Sequence, residues 1–179
     1  MIAKLNTSRN LLRLALLVVA VNIFFFFMGL EMKRHHGSSE ILDIKFGYTT
    51  ETAMRVLSEQ GEYGRQLSQY LLLVDMVYPF IYGLLLILLI YRFMPRTPLP
   101  FLEYIVYLFP ITAMIADWLE NIWEIRMLQG FPEAVTQLAP LASQFTMVKW
   151  YAVIASLFIL ALEVLFILYY PALRKHTAR

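Results

Sequence analysis

The sequence predicts an all-α, polytopic membrane protein: a four-transmembrane-helix bundle with a partly helical exoplasmic first loop. Of its 179 residues, 60% are hydrophobic and only 16% are charged, and the mean hydropathy of +0.62 is typical of membrane proteins. Four apolar runs are long enough to cross a hydrocarbon core about 30 Å thick. They cover residues 11–30, 70–91, 101–127 and 141–170. We therefore expect residues 1–179 to form a single membrane domain, with residues 31–69 as an exoplasmic cap.

The same composition excludes several classes of protein. The formal net charge is only +2, and the basic residues are scattered, so nucleic-acid binding is not expected. The chain contains no cysteine, which excludes disulfides, thiolate metal ligands and the chemistry of four-helix thiol oxidoreductases. Nucleophilic catalysis is not indicated either, because no serine stands with a histidine in a recognisable arrangement.

The first apolar run, residues 11–30, follows a basic start and could be a secretory signal. However, the charged residues Glu31, Lys33 and Arg34 stand where a small-x-small cleavage site should lie, so we expect the run to remain as the first span. Asn22 lies near its middle. An amide in hydrocarbon is satisfied most cheaply by another helix, and we expect Asn22 to hydrogen-bond a neighbouring span.

The expected cap combines an extended piece with a short helix. Residues 41–46 partly alternate between apolar and polar, which predicts an extended segment. Thr49 or Thr50 can cap a following amphipathic helix, and Gly61 can end it. Such a helix is typical of a segment that lies over the mouth of a bundle or on the bilayer surface.

The second span contains an acid, Asp75, four residues before a proline, Pro79. Pro79 cannot donate a backbone hydrogen bond to the carbonyl group four residues earlier, which belongs to Asp75. We therefore predict a kink beside this ionisable side chain, with room for a ligand or water.

The third span carries a polar stripe, which we call the acidic stripe: Asp117, Glu120, Asn121 and Glu124. Their spacing of i, i+3, i+4 and i+7 places them on one face of a helix. Such a face must contact protein or water rather than lipid. The fourth span contributes Lys149 near its start and Glu163 farther along.

Basic residues indicate the orientation. The N-terminal tail, the second loop and the C-terminal tail hold the following basic residues and no acid: Lys4, Arg9, Arg13, Arg92, Arg96, Arg174, Lys175 and Arg179. By the positive-inside rule both termini are cytoplasmic, and we expect the protein in a bacterial inner membrane. The first loop also holds five basic residues, which reduces the contrast. In this orientation the acidic stripe lies in the outer-leaflet half.

The charges in that half do not balance. Within the spans it holds four acids and two basic residues: Asp75, Asp117, Glu120 and Glu124 against Lys149 and Arg126. An unpaired carboxylate in low dielectric costs several kcal/mol, so it takes up a proton, binds a cation or attracts a positive side chain such as Arg65.

The leading functional hypothesis is a buried, carboxylate-rich cavity that binds a membrane lipid or lipophilic small molecule and can convert it by acid–base chemistry. The catalytic candidates are Asp75, Asp117, Glu120 and Lys149. The ligand-binding candidates are Asn121, Glu124, Tyr78, Trp118, Trp150 and Arg65.

Three alternatives remain open. Lys149 could pair with Asp117 or Glu120, and Arg126 with Glu124, solely to fix helix packing, while the aromatic residues form an interfacial belt. The protein could be a non-catalytic subunit or assembly factor whose polar stripe docks a partner helix. It could also handle protons or cations, as a homo-oligomer or with a partner membrane protein.

No cofactor is predicted. Glu31 and His35 are four residues apart and would be the metal ligands if a metal bound, but neither H-E-x-x-H nor a paired Glu-x-x-His motif is present. His35 and His36 follow Lys33 and Arg34, a pattern typical of a solvated basic turn.

Overall fold

The computed structural model describes residues 2–36, 40–94 and 100–177. Within these ranges the chain is helical and has no β-strand. The helices are α1 (Ile2–Leu5), α2 (Ser8–His36), α3 (Thr50–Glu59), α4 (Gly61–Asp75), α5 (Tyr78–Phe93), α6 (Pro100–Gln129) and α7 (Val135–Thr177). The predicted all-α class is confirmed.

Among the described residues, four helical segments are long and apolar enough to cross a membrane: Ser8–Arg34, Gly61–Phe93, Tyr104–Gln129 and Val135–Tyr169. Their number agrees with the sequence prediction. The second segment is longer than predicted, because α4 begins at Gly61 and takes in residues assigned above to the cap. Many large apolar side chains on these helices are exposed, as lipid contact requires; Leu16 and Phe26 on α2 are 59% and 64% exposed.

The segment between α2 and α4 covers one end of the long helices, and we call residues 40–60 the cap segment. Residues 41–46 form turns rather than the predicted extended piece, and the Lys45 N–H donates to the Leu42 carbonyl at 2.9 Å. Carbonyl groups that would bond a neighbouring strand accept hydrogen bonds from α7 instead. Lys149 donates to the Asp43 carbonyl at 3.1 Å, and Trp150 donates to the Lys45 carbonyl at 2.9 Å.

The short helix of the cap segment forms as predicted. The Thr49 hydroxyl accepts a hydrogen bond from the Thr52 N–H at 3.2 Å and so caps α3. Gly61, with φ of 62°, separates α3 from α4. Val56 and Leu57 are buried in a cluster with residues of α4, α6 and α7. Burial contributes about 1.5–3 kcal/mol for each such side chain, which anchors the cap segment to the spans.

The second span breaks at the predicted place. α4 ends at Asp75, α5 begins at Tyr78, and Pro79 lies in the first turn of α5. The break frees the Met76 carbonyl, which accepts a hydrogen bond from the Trp118 indole at 2.9 Å. α6 therefore stabilises the irregular backbone that a span can tolerate only inside protein.

α5 and α6 approach each other closely at Gly83. A Cβ atom at this position would lie 2.1 Å from Sδ and 2.3 Å from Cγ of Met114. Small residues allow this kind of close packing between membrane helices. The contact fixes the distance between the helix that carries Tyr82 and the helix that carries the acidic stripe.

Gly83→Ala is expected to lower the free energy of unfolding by about 1–3 kcal/mol, because the added methyl group overpacks the contact with Met114. Unfolding in mixed detergent micelles measures the change. Gly29→Ala is the matched control, since its Cβ would meet its nearest atom at an ordinary 3.8 Å. Adding Met114→Ala should recover part of the loss, and equal stability of the two glycine variants would contradict the close approach.

Candidate functional site

The acidic stripe of α6 is buried against α7, the cap segment and the broken second span. Glu120 and Asn121 are fully buried, and Asp117 and Glu124 are each 4% exposed. Each member bonds a different element of the chain. The stripe is therefore internal, and it joins five parts of the sequence at one place.

Lys149 of α7 lies at the centre of this site. Its Nζ is 2.6 Å from Glu120 Oε2 and 3.8 Å from Asp117 Oδ1, and it donates to both the carbonyl and the carboxylate of Asp43. Thr146, one turn earlier on α7, donates to the other Glu120 oxygen at 2.7 Å. Glu120 thus has an ion pair and a hydrogen bond, both with α7 side chains, which offset the cost of burying its carboxylate.

The other acids have separate hydrogen-bond donors. Asn121 donates to Asp75 Oδ2 at 2.8 Å, which joins α6 to the end of α4. The Tyr82 hydroxyl of α5 donates to Asp117 Oδ2 at 2.8 Å. Asp75 and Asp117 therefore face one site but have different environments.

Tyr48 fastens the cap segment to the last member of the stripe. Its hydroxyl donates to Glu124 Oε1 at 3.0 Å, and its backbone N–H donates to the Ser143 hydroxyl at 2.8 Å. Burial raises the pKa of Tyr48 above its usual value, and the nearby Glu124 and Glu120 raise it further. The phenol therefore keeps its proton and remains a donor.

Five carboxyl groups form what we call the acidic cluster: Asp43, Asp75, Asp117, Glu120 and Glu124. Oxygens of the first three lie within 4.8 Å of one another. Lys149 is the cation that pairs with the cluster among the described residues. The buried Oδ1 atoms of Asp117 and Asn121 accept no hydrogen bond from the part of the chain that the structure describes.

A cavity of about 490 Å³ opens beside the cluster. Its polar lining includes Asp43, Asp75, Asp117, Lys149 and Tyr82. Aliphatic side chains of α5 and α7, which include Leu85, Leu89, Val153, Leu157 and Leu160, line what we call its apolar part. Glu120 and Asn121 do not line the cavity and lie behind the residues that do.

Most predicted site residues meet here, and their functional roles stay predictions. Asp75, Asp117, Lys149, Glu124, Tyr78 and Trp150 line the cavity. Tyr78 also accepts a hydrogen bond from Asn22 at 2.6 Å, so the predicted contact of Asn22 with another span is present.

Three other predicted residues lie elsewhere. Arg65 donates to the Leu57 carbonyl at 2.9 Å and stacks on Phe131 at 4.2 Å, so it does not neutralise the cluster. The end of α3 attracts it, because helix C-termini present free carbonyl groups. Trp118 donates to the Met76 carbonyl at the break in the second span. Arg126 lies over the Trp123 ring at 5.2 Å instead of pairing with Glu124, which bonds Tyr48.

Glu31, one of the two weak metal candidates, is not brought to the cluster. Glu31 is near Arg34, at 3.6 Å, and is not a member of the carboxylate group described above. The side chain of His35 lies outside the described residues.

Sequence reasoning missed Asp43, Tyr48 and Thr146. Asp43 and Tyr48 reach the site from the cap segment through contacts with partners 76 to 106 positions away, and no local pattern announces such contacts. Thr146 could have been found, because it precedes Lys149 by three residues and so shares its helix face.

The chain matches no protein-family model, no curated protein and no solved structure. The features that bear on function are the acidic cluster, the lysine within it and the adjoining cavity. These features combine ionisable groups, hydrogen-bond donors and an apolar surface in one place.

Lys149→Met is expected to lower the free energy of unfolding by about 3–5 kcal/mol, because it leaves buried carboxylates without their cation. Adding Glu120→Gln should recover part of this loss, since it removes one of the two carboxylates in direct contact with the missing ammonium. Detergent unfolding curves measure both effects.

Arg126→Met is the control for this prediction. It removes a cation that lies over an aromatic ring and is expected to cost less than about 1 kcal/mol. If Lys149→Met were no more harmful than Arg126→Met, the ion network around Lys149 would not hold the fold.

Proposed function

We propose that this protein binds a lipid-like amphiphile in the cavity beside the acidic cluster. The ligand's polar group contacts the cluster, and its apolar chain lies between the spans. One observation carries the proposal: a single cavity is lined both by ionisable side chains of the acidic cluster and by aliphatic side chains of the spans. Its volume of about 490 Å³ lies within the range of about 300–1,000 Å³ usual for small-molecule sites.

The apolar part of the cavity suits an extended chain. On α7 its lining reaches from Trp150 to Leu160, about 15 Å at the helical rise of 1.5 Å per residue. On α5 it reaches from Tyr78 to Leu89, a similar length. Apolar surface buried in this part would contribute about 25 cal/mol per Å² to affinity before the entropic cost of binding.

Two alternatives are less well supported. A network that only fixed helix packing would not need an adjoining cavity, because protein interiors are normally close-packed. A partner helix has no access to the acidic stripe, because α7 and the cap segment already cover it. Ligand binding uses both the polar groups and the space beside them.

We extend the proposal to acid–base chemistry on the bound ligand. Asp75 and Asp117 both line the cavity, but one accepts from an amide and the other from a phenol beside the Lys149 ammonium. Two carboxyl groups in different environments can serve as proton donor and proton acceptor. Glu120, behind them, helps to hold Lys149.

We also propose that the cavity opens in the outer leaflet of a bacterial inner membrane, with both termini in the cytoplasm. The support is the basic residues of the N-terminal tail, the second loop and the C-terminal tail, under the positive-inside rule. A ligand would then enter from the outer leaflet and be held just below the cap segment.

Val153→Trp is expected to abolish binding of twelve-carbon amphiphiles, because the indole would fill the apolar part of the cavity. Ile154→Trp is the matched control: it is the next residue on α7, is 52% exposed and does not line the cavity. Native mass spectrometry with added dodecanol and dodecylamine gives the occupancy of both variants. Equal occupancy in the two variants, or no binding to the parent chain, would refute the proposed function.

The orientation has its own test, since the chain has no cysteine and a single introduced cysteine is therefore unique. Ser58→Cys, at the exposed end of α3, should react with a membrane-impermeant maleimide in intact cells. Lys4→Cys should react only after the membrane is permeabilised. The opposite pattern would place the cavity in the inner leaflet.

A further inference from the structure

The acidic cluster has more carboxyl groups than the described residues supply with cations. Lys149 faces Asp43, Glu120 and, at 3.8 Å, Asp117. No cation among the described residues lies within ion-pair distance of Asp75 or Glu124. Uncompensated buried carboxylates are costly, so a positive charge supplied from outside the chain would be favoured here.

The arrangement of oxygens suits an ammonium group. Oxygens of Asp43, Asp75 and Asp117 lie within 4.8 Å of one another, and all three residues line the cavity. An ammonium donates three hydrogen bonds of about 2.8–2.9 Å in tetrahedral directions, which places its acceptors about 4.6–4.7 Å apart. Lys149 already binds one side of the cluster in this way.

A second, independent observation points to a missing donor. The Oδ1 atom of Asp117, a residue that lines the cavity, is buried and accepts no hydrogen bond from the described part of the chain; Lys149 Nζ lies 3.8 Å away. Asp117 is 4% exposed, so bulk water does not readily serve this atom. Buried acceptors of this kind normally have a partner.

The rest of the cavity distinguishes an amphiphile from a bare metal ion. A divalent cation would contact only the carboxylates, and at the same distance Lys149 would repel it about twice as strongly as it repels a singly charged ammonium. A chain attached to an ammonium group would also cover the aliphatic walls from Tyr78 to Leu89 and from Trp150 to Leu160.

We propose that the ligand is a long-chain primary amine whose ammonium group binds Asp75 and Asp117, while Lys149 stays with Glu120 and shares Asp43. This proposal rests on the proposed function and names the head group that the same cavity selects. The alkyl chain lies between α2, α5 and α7.

Dodecylamine and dodecanol test the head group, because they share one chain and differ in charge at pH 7. Dodecylamine should bind the parent protein at least tenfold more tightly in equilibrium titrations in detergent. Asp75→Asn should remove most of this preference, so that the ratio of the two affinities falls toward one. Glu163→Gln, which removes a buried acid outside the cavity lining, should keep the preference.

The outcomes separate the two proposals. Equal affinity for amine and alcohol, with both blocked by Val153→Trp, would overturn the amine and leave the proposed function standing. No binding of either compound would refute both. The amine proposal would also be overturned if Mn²⁺ bound the parent protein but not Asp75→Asn, and if dodecylamine bound no more tightly than dodecanol. The comparison on the parent chain holds even if Asp75→Asn fails to fold.

Discussion

The ion network around Lys149 is the constraint on which the rest of the structure depends. A buried ammonium is tolerated only with acceptors on several sides, and these come from Glu120 of α6 and from the carbonyl and carboxylate of Asp43 in the cap segment. Neither contact alone would satisfy the lysine. The packing of α6 on α7 and the position of the cap segment are therefore energetically coupled, although Asp43 and Lys149 are 106 residues apart.

The break in the second span is the second constraint on the site, because it positions Asp75 and Tyr78. Pro79 ends the regular backbone after Asp75, and the Trp118 indole satisfies the Met76 carbonyl that the break leaves free. The interruption turns Asp75 toward Asn121 and begins α5 with Tyr78, which reaches Asn22 on α2. One proline thus creates a wall of the cavity, and a tryptophan from the neighbouring span offsets its cost.

Regular patterns explain what could be predicted from the sequence. Hydropathy predicted the four spans, and helical spacing predicted the acidic stripe. Local backbone chemistry predicted that α3 begins after Thr49 or Thr50, of which Thr49 is the cap, and ends near Gly61. The failures share one cause: long side chains and connecting segments choose partners that are distant in sequence. Arg65 bonds the end of α3 rather than the cluster. Asp43 bonds Lys149 from a turn in a segment that was predicted to be extended.

The location of Asp43 links the charge of the cavity to the position of the segment above it. Asp75 and Asp117 are held by helices, whereas Asp43 lies in a connecting turn that is held partly by Lys149. Any cation that competes with Lys149 for Asp43 weakens that attachment, and by thermodynamic reciprocity a looser cap segment changes the cation's affinity by the same factor. Binding of a cation in the cavity and attachment of the cap segment above it would then be one coupled equilibrium.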